Sequence, residues 1–290
     1  MHKLIALLLL SFLCLSVQVQ AQKTVEVSDN RYDQGFYNNI SSYLKMYHLR
    51  DLSQSKDSLC IRIWMSNRII EISQQDGVNV HVVNHIYHHT GTVIKTNTYD
   101  SETARILLDT LLTNGIMNIS PDAKFGIDGF LLKFEISTPD KYRVYSYWSP
   151  RLTSTGMHKK VAELSALTSR VLNLNNKSHQ FRSSLESGGY PLGMSSFWVD
   201  RFLPDDIEKS SLYIAVQTMM KAELGVDETT SSLQFPRIMI NNLPVFMRDL
   251  NKYDLSEIKK VKLIRKGDDL AVLYGAFIEH GLFMIETLPK

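Results

Sequence analysis

The sequence predicts an α+β protein of two domains, an N-terminal antiparallel sheet with flanking helices and a small C-terminal α/β domain. Three observations support this prediction. Apolar residues alternate with polar ones between turn signals over residues 59–148, a pattern typical of antiparallel strands. Amphipathic helical patterns lie on either side of these strands. A polar run with three glycines, 176–199, indicates a linker, so the predicted domains cover 22–175 and 200–290.

Residues 1–21 have the features of a secretory signal peptide. A positively charged start precedes an apolar run over 4–17, and Val19 and Ala21 take the positions of small residues before a cleavage site. The apolar run is shorter than the roughly 18 residues that a membrane span needs, and no later segment is predicted to cross a membrane. Cys14 follows a leucine, whereas lipid attachment requires a small residue there. We therefore expect cleavage after Ala21 and a periplasmic or secreted protein, with outer-membrane association as a further option.

Composition and motif content narrow the function classes. The formal net charge of the chain is +2, which does not predict nucleic-acid binding. Signal cleavage would leave Cys60 as the sole cysteine, without an intramolecular disulfide partner. Its strand-like surroundings favour a small buried hydrophobe over a nucleophile. The sequence contains no Gly-x-Ser-x-Gly, phosphate-loop or paired-cysteine motif. We therefore predict no cofactor and no catalytic residue.

The elements of the N-terminal domain follow from periodicity. Aromatic residues and leucines at helical spacing over 31–52 predict one amphipathic helix, with Gly35 as a weak point. Two further helices are predicted from a capped apolar stripe and a later run at helical spacing. The first predicted strand has an irregularity at 66–67. The predicted strands are 59–72, 78–87, 92–98, 130–136 and 142–148, and the two later helices are 100–114 and 158–174.

A pair of histidines in this domain has the spacing of a metalloprotease motif. His81 and His85 are four residues apart, but Val82 stands where that motif has its general base, and the setting is a strand. On one strand the two imidazoles would lie about 13 Å apart, too far to share an ion without a third element. No metal site is predicted.

The two carboxylates Asp128 and Glu135 are the other pair considered. A general acid and a general base must converge on one substrate, but these two would face opposite sides of a continuous strand. Asp128 is predicted to be a turn residue. Glu135 is predicted to be a cross-strand partner of Arg143 or Lys141.

The C-terminal domain ends in a dense series of turn signals. A predicted strand begins near Ile258. Asp268 or Asp269 is placed to cap a short helix that stops at Gly275. Gly281 permits a positive φ before the last strand. That predicted strand is 282–287.

This series resembles the end of the plug domain of TonB-dependent outer-membrane receptors, especially the SusC-like nutrient receptors. In that family a strand leads to a short helix that ends in Tyr-Gly, here Tyr274 and Gly275. A glycine follows, here Gly281, and then a strand that ends in Thr, here Thr287. Several residues at turns and at the ends of elements therefore match the family in order and in spacing.

The resemblance extends towards the middle of the chain. Residues 235–244 resemble a strand and turn of the family, although Asn241 and Asn242 replace the usual Asp-Gly. Asparagine tolerates the left-handed conformation that a tight turn requires. A helix before 225–226 resembles the first helix of the plug, so the resemblance covers 200–290. The N-terminal domain is only broadly similar to an uncharacterised exported module.

The resemblance implies a plug-like fold for the C-terminal domain and a partner in the envelope. In a receptor the plug precedes a long barrel, which this chain does not supply, so we expect a protein that is not a transporter by itself. The expected function is that of a non-enzymatic binding protein in a Gram-negative envelope, with an envelope protein or outer-membrane receptor as partner. Two alternatives stay open: an exported hydrolase with its site in 24–175, and a receptor relic that keeps the domain as a structural cap.

A partner-binding surface is predicted close to the C-terminus. Phe277 and Ile278 stand where the family usually has small or charged residues, so they are candidates to anchor a partner. A basic cluster on the same segment would steer the encounter. The alternatives are that the two apolar residues pack against the N-terminal domain, and that the basic cluster is a solvated strand edge. The basic candidates are Lys259, Lys260, Lys262, Arg265 and Lys266, and the predicted turn residues are Gly275, Gly281, Asn241 and Asn242.

Overall fold

The chain forms two compact units of mixed α and β structure, which confirms the predicted α+β class. One unit extends to Val83 and resumes over Thr96–Leu172, and the other contains Asn84–Lys95 and the chain from Asn173 onwards. The predicted signal peptide, 1–21, lies outside the described residues. No helix of the described chain is both long and apolar enough to cross a membrane. The computed structural model describes residues 23–88, 90–122, 126, 128–193 and 195–289, without the side chains of Ala276 and Phe277.

The first seven strands of the chain form one seven-stranded sheet. The strands are β1 (Thr24–Val27), β2 (Leu59–Met65), β3 (Arg68–Gln74), β4 (Val78–His88), β5 (Gly91–Thr98), β6 (Leu131–Ser137) and β7 (Lys141–Trp148). Their order is β1-β7-β6-β2-β3-β4-β5. β1 runs parallel to β7, whereas β2 is antiparallel to β3 and to β6, and β6 is antiparallel to β7. This order places β2, predicted near the start of the domain, beside β6.

The first predicted strand, 59–72, is two strands. β2 and β3 form a hairpin that turns at Ser66 and Asn67, where the sequence indicated only an irregularity. Both strands are buried along most of their length, so apolar residues continue on either side of the turn. The hydrophobic pattern therefore did not indicate where one strand ends and the next begins.

The helices of this unit have identifiable caps. They are α1 (Arg31–Asn38), α2 (Ile40–Tyr47), α3 (Ser101–Thr113) and α4 (Gly156–Val171). The prediction of one helix over 31–52 is wrong, because the helix breaks at Asn39 rather than at Gly35. The Asn39 side chain donates to the carbonyl of Gly35 at 2.8 Å, an alternative to continued helix. Asp100, the first residue of the predicted helix 100–114, caps α3 by accepting the backbone N–H of Thr103 at 2.8 Å.

The predicted linker, 176–199, is folded. The C-terminal unit contains α5 (Leu174–Ser183), β8 (Gly188–Leu192), β9 (Ser195–Val199), α6 (Ser211–Leu224), β10 (Arg237–Ile240), β11 (Leu243–Val245), α7 (Met247–Leu250), β12 (Ile258–Ile264) and β13 (Leu282–Thr287). Phe181 of α5 and Tyr190 of β8 pack in one apolar cluster with Ile86. The linker prediction is therefore corrected: a few well-spaced apolar residues in a polar run are enough to fold it.

The last four strands of this unit form a four-stranded sheet with the order β11-β10-β13-β12. β10 is parallel to β13, and β12 is antiparallel to β13. Phe283 and Ile285 of β13 belong to the main core, which also contains Val216 and Met220 of α6. Since side chains alternate along a strand, Met284 lies on the opposite face. That opposite face carries the candidate site.

The four predicted turn residues all have positive φ. Asn241 and Asn242 have φ of 50° and 64° between β10 and β11, and Gly275 and Gly281 have φ of 51° and 96°. At Gly281 the positive φ requires glycine, and a Cβ atom would also lie 2.9 Å from Cδ1 of Leu224, so that side chain would have to shift.

Candidate functional site

A buried network of charged side chains crosses the middle of the N-terminal unit. Arg62 on β2 is fully buried and stands in register with Glu71 on β3 and Glu135 on β6. Its Nη2 donates to Glu71 at 2.6 Å, and its Nη1 donates to Glu135 at 3.1 Å. Burial alone would lower the pKa of Arg62, but the charges of Glu135 and Glu71 outweigh it and raise that pKa. The guanidinium is therefore a permanent cation held between two carboxylates.

Glu135 completes this network instead of pairing as predicted. Its carboxylate also accepts from Nε1 of Trp64 and from the hydroxyl of Tyr142, each at 2.5 Å. The prediction of Arg143 or Lys141 as its partner is wrong; the Arg143 side chain donates to the carbonyl of Met117. Glu135 is buried among these donors, whereas Asp128 is exposed, so the two do not form a catalytic pair.

Cys60 lies at the edge of the same network. It is buried, and its thiol donates to Oδ2 of Asp57 at 3.0 Å. Burial raises the pKa of Cys60 to about 11, and the Asp57 contact adds to that rise. A thiol with such a pKa is protonated at neutral pH and is a poor nucleophile.

An open polar groove of about 440 Å³ also lies on this unit. His48, Ser73 and His81 line it together with Arg50 and Glu71. Arg50 and Glu71 are already joined by a hydrogen bond of 2.7 Å. Within the described chain, Ser73 makes no hydrogen bond to either histidine.

The two histidines that were considered as metal ligands differ in environment. His81 is exposed, while His85 is partly buried and burial lowers its pKa to about 4. Among the described residues no group of three His, Cys, Asp or Glu side chains is placed to hold a metal ion.

The predicted basic cluster lies on β12 and the turn that follows it, and all five side chains are exposed. Two of the five are neutralised by ion pairs: Lys259 with Glu286 at 3.2 Å, and Arg265 with Glu223. In the described part of the chain the other three make no ion pair. These three are Lys260, Lys262 and Lys266.

One of the two predicted apolar anchors does not lie where the sequence suggested. Ile278 is only 4% exposed and packs with Ile264 and Leu282 in a small apolar cluster of the same unit. This corrects its assignment as a partner-binding residue, and also the alternative of packing against the N-terminal domain. The Phe277 side chain lies outside the described residues, so its assignment stays a prediction.

The exposed apolar residues of this region are a few positions earlier. Residues Asp269–Leu273 form a 3₁₀ turn instead of the predicted α-helix. Val272 is 86% exposed, Leu273 is 74% exposed and Leu270 is 39% exposed. We call Leu270, Val272 and Leu273 the apolar turn. The sequence missed them because an α-helix over these residues would have buried one side of the segment.

A shallow groove of about 510 Å³ connects the basic strand to this turn. Lys262 and Ile264 line one side, and Asp268, Asp269 and Leu270 line the other. The backbone N–H of Arg265 donates to Asp268 at 2.7 Å, which fixes the entry to the turn. The site therefore combines exposed lysines, a groove and solvent-exposed apolar side chains within one short segment.

Comparison of the chain with protein-family models, with curated proteins and with solved structures finds no match in any of the three.

Proposed function

We propose that this is a non-enzymatic, exported binding protein of a Gram-negative envelope, whose apolar turn docks on an acidic surface of an envelope protein, an outer-membrane receptor first of all. The exposure of Val272 and Leu273 carries the proposal, since large apolar side chains grouped in water mark interaction sites. The plug-like sequence pattern over 200–290 and the signal-peptide features support the partner class and the location.

The apolar turn would supply most of the binding energy. Burying one Val or Leu side chain fully is worth about 1.5–3 kcal/mol, so Val272 and Leu273 together suffice for a small hot spot. Lys260, Lys262 and Lys266 would orient the partner, because exposed charges change association rates more than they change affinity. Asp268 and Asp269 beside the groove reduce the positive potential of the three lysines. They favour a partner surface that is mainly acidic but also carries some basic side chains.

A binding function accounts for the N-terminal unit better than hydrolysis does. The carboxylates of Glu71 and Glu135 are committed to Arg62, and the thiol of Cys60 stays protonated. Groups held in this way stabilise a fold and are not available to a substrate. The polar groove offers no activated nucleophile among the described residues.

Site-specific photo-cross-linking in the native envelope tests the proposal. A photoreactive amino acid replaces Leu273, and a matched control replaces Leu243, which is 68% exposed on β11. We expect one dominant protein adduct from position 273 and none of the same mass from position 243. Charge reversal of Lys260 and Lys262 to Glu should weaken that adduct, and added salt should weaken it as well.

Three results would contradict the proposal. Adducts of equal pattern from both positions would mean that the apolar turn is an ordinary solvated loop. Binding of the purified protein to anionic lipid vesicles, lost in Val272→Ser/Leu273→Ser, would replace the protein partner with a membrane surface. Full retention of the adduct in Val272→Ser would remove the apolar turn from the contact.

A further inference from the structure

The four-stranded sheet of the C-terminal unit has two different edges. One edge is β11, which is three residues long and contains Pro244, whose nitrogen carries no proton to donate. The other edge is β12, which is seven residues long. An edge strand carries backbone N–H and C=O groups that point away from the sheet, and a further strand can pair with them. β12 is therefore the edge that is suited to accept a strand.

The hydrogen bonds of β13 show which backbone groups of β12 point outwards. The carbonyl of Ile285 accepts a backbone N–H from the β10 side of the sheet at 2.9 Å. Because backbone groups alternate in direction along a strand, the groups of Met284 turn the other way, towards β12. Lys262 is the register partner of Met284, so its N–H and C=O point inwards, to β13. The N–H and C=O groups of its neighbours Val261 and Leu263 therefore point away from the sheet.

These outward groups are accessible on a strand that is held in place. Within the described residues, no group outside the sheet bonds to the backbone N–H or C=O of Val261 or Leu263. Their side chains pack against the main core, which fixes the position of β12. Lys260 and Lys262 are exposed on the opposite face. The edge thus presents two N–H and two C=O groups to solvent beside two lysines.

The lysines decide which strand can pair with this edge. A second copy of β12 that used Val261 and Leu263 in an antiparallel pair would place Lys262 directly opposite its own counterpart. Like charges in that position are destabilising, whereas an opposite charge is stabilising. The edge therefore disfavours a copy of itself and favours an extended segment that carries Glu or Asp.

We propose that the partner adds an extended acidic segment to the edge of β12 as an antiparallel strand. This inference rests on the proposed function and adds the mode of contact. The partner residue opposite Lys262 would lie in a non-hydrogen-bonded pair, where the two Cα atoms are about 4.5 Å apart and the side chains are closest. A carboxylate at that position meets the Lys262 ammonium. Lys262 also lines the shallow groove that reaches Leu270, so the added strand lies next to the apolar turn.

Amide hydrogen exchange of the unaltered protein tests the strand addition. The probe is a synthetic peptide as long as β12 in which Glu and Val alternate, and the control peptide has Lys in place of Glu. In the free protein the amides of Val261 and Leu263 should exchange faster than those of Lys260 and Lys262, which bond to β13. The acidic peptide should slow the exchange of Val261 and Leu263. The lysine peptide should not, and added salt should reduce the effect of the acidic peptide.

A proline variant tests the outward groups directly. Val261→Pro removes one outward N–H and leaves the bonds to β13, and proline is tolerated on an edge strand where its nitrogen faces solvent. It should weaken binding of the acidic peptide by at least about fivefold, the effect of one lost hydrogen bond. Val261→Ala keeps the N–H and is the matched control for lost packing, so it should bind like the unaltered protein. Circular dichroism identifies a variant that does not fold, and the exchange experiment on the unaltered protein then decides.

The strand addition is overturned if the acidic peptide protects neither amide, or if the lysine peptide protects both equally. It is also overturned if Val261→Pro binds the acidic peptide as well as Val261→Ala does. Cross-linking from position 273 judges the docking separately. An adduct that persists in Val261→Pro would refute the strand addition and leave the docking of the apolar turn in place, whereas an adduct absent from the unaltered protein would refute the docking itself.

Discussion

Replacing Arg62 with Met should destabilise the N-terminal unit more than any surface substitution. The change leaves Glu135 fully buried with only the Trp64 and Tyr142 donors, and leaves Glu71 with Arg50 alone. Removing one partner of a buried ion pair costs about 3–5 kcal/mol, because the remaining charge has lost its counter-charge. Arg62→Met should fall in that range.

Hydrogen exchange of the β2 and β6 amides is the suitable assay, because it reports the opening of this sheet separately from the C-terminal unit. Glu135→Leu should cost a similar amount, and the double variant should cost less than the sum by about 1–3 kcal/mol if the two groups are coupled. Arg105→Met, which breaks only the exposed ion pair with Asp109, is the control and should change stability by less than about 1 kcal/mol. A cost for Arg62→Met as small as the control, or simple additivity, would refute the account of the network.

Three further predictions concern single positions. Gly281→Val should lower the free energy of unfolding in urea by about 1–3 kcal/mol, because valine is strained at the positive φ of this position. Gly35→Ala in α1 is the control and should not lower it, because the added Cβ meets open space. Equal melting temperatures for Gly281→Val and the unaltered protein would contradict this backbone strain. Burial raises the pKa of Asp200 to about 6. The folded state therefore binds more protons than the unfolded chain between about pH 4 and 6, and the contribution of Asp200 to stability falls as pH rises through that window. The stability of Asp200→Asn should lack this fall with pH, and identical pH profiles for the variant and the unaltered protein would contradict the prediction. Cys60, with its pKa raised to about 11, should react with iodoacetamide in the unfolded chain but not in the folded protein, and rapid labelling of folded protein would show an opening of the buried site.

The sequence predicts those parts of the fold that are specified by residues close together in the chain. The last strand, Leu282–Thr287, and the cap of α3 at Asp100 follow from side-chain types within a few positions. The positive φ of Asn241 and Asn242 follows from the same local chemistry. In each case a turn or cap is specified by the residue that forms it.

Features that depend on which strands become neighbours could not be predicted in this way. Arg62 meets Glu135 because β2 lies beside β6, and the two residues are far apart in the chain. The folding of the predicted linker has the same origin, since Phe181 and Tyr190 need Ile86, which comes much earlier. Long-range pairing decides these contacts, and a single sequence carries little direct record of it.

The apolar turn shows how one short segment divides its residues between fold and function. Val261 and Leu263 of β12 pack against the main core, while Lys260, Lys262 and Ile264 alternate with them and so lie on the other face of the sheet. On that face, the segment that follows β12 packs inwards through Ala271, Tyr274 and Ile278. This inward set already anchors the segment, so the outward Val272 and Leu273 are not needed to hold it in place. Their substitution by serine should therefore leave the melting temperature unchanged while it removes partner contact, which separates the binding role from a structural one.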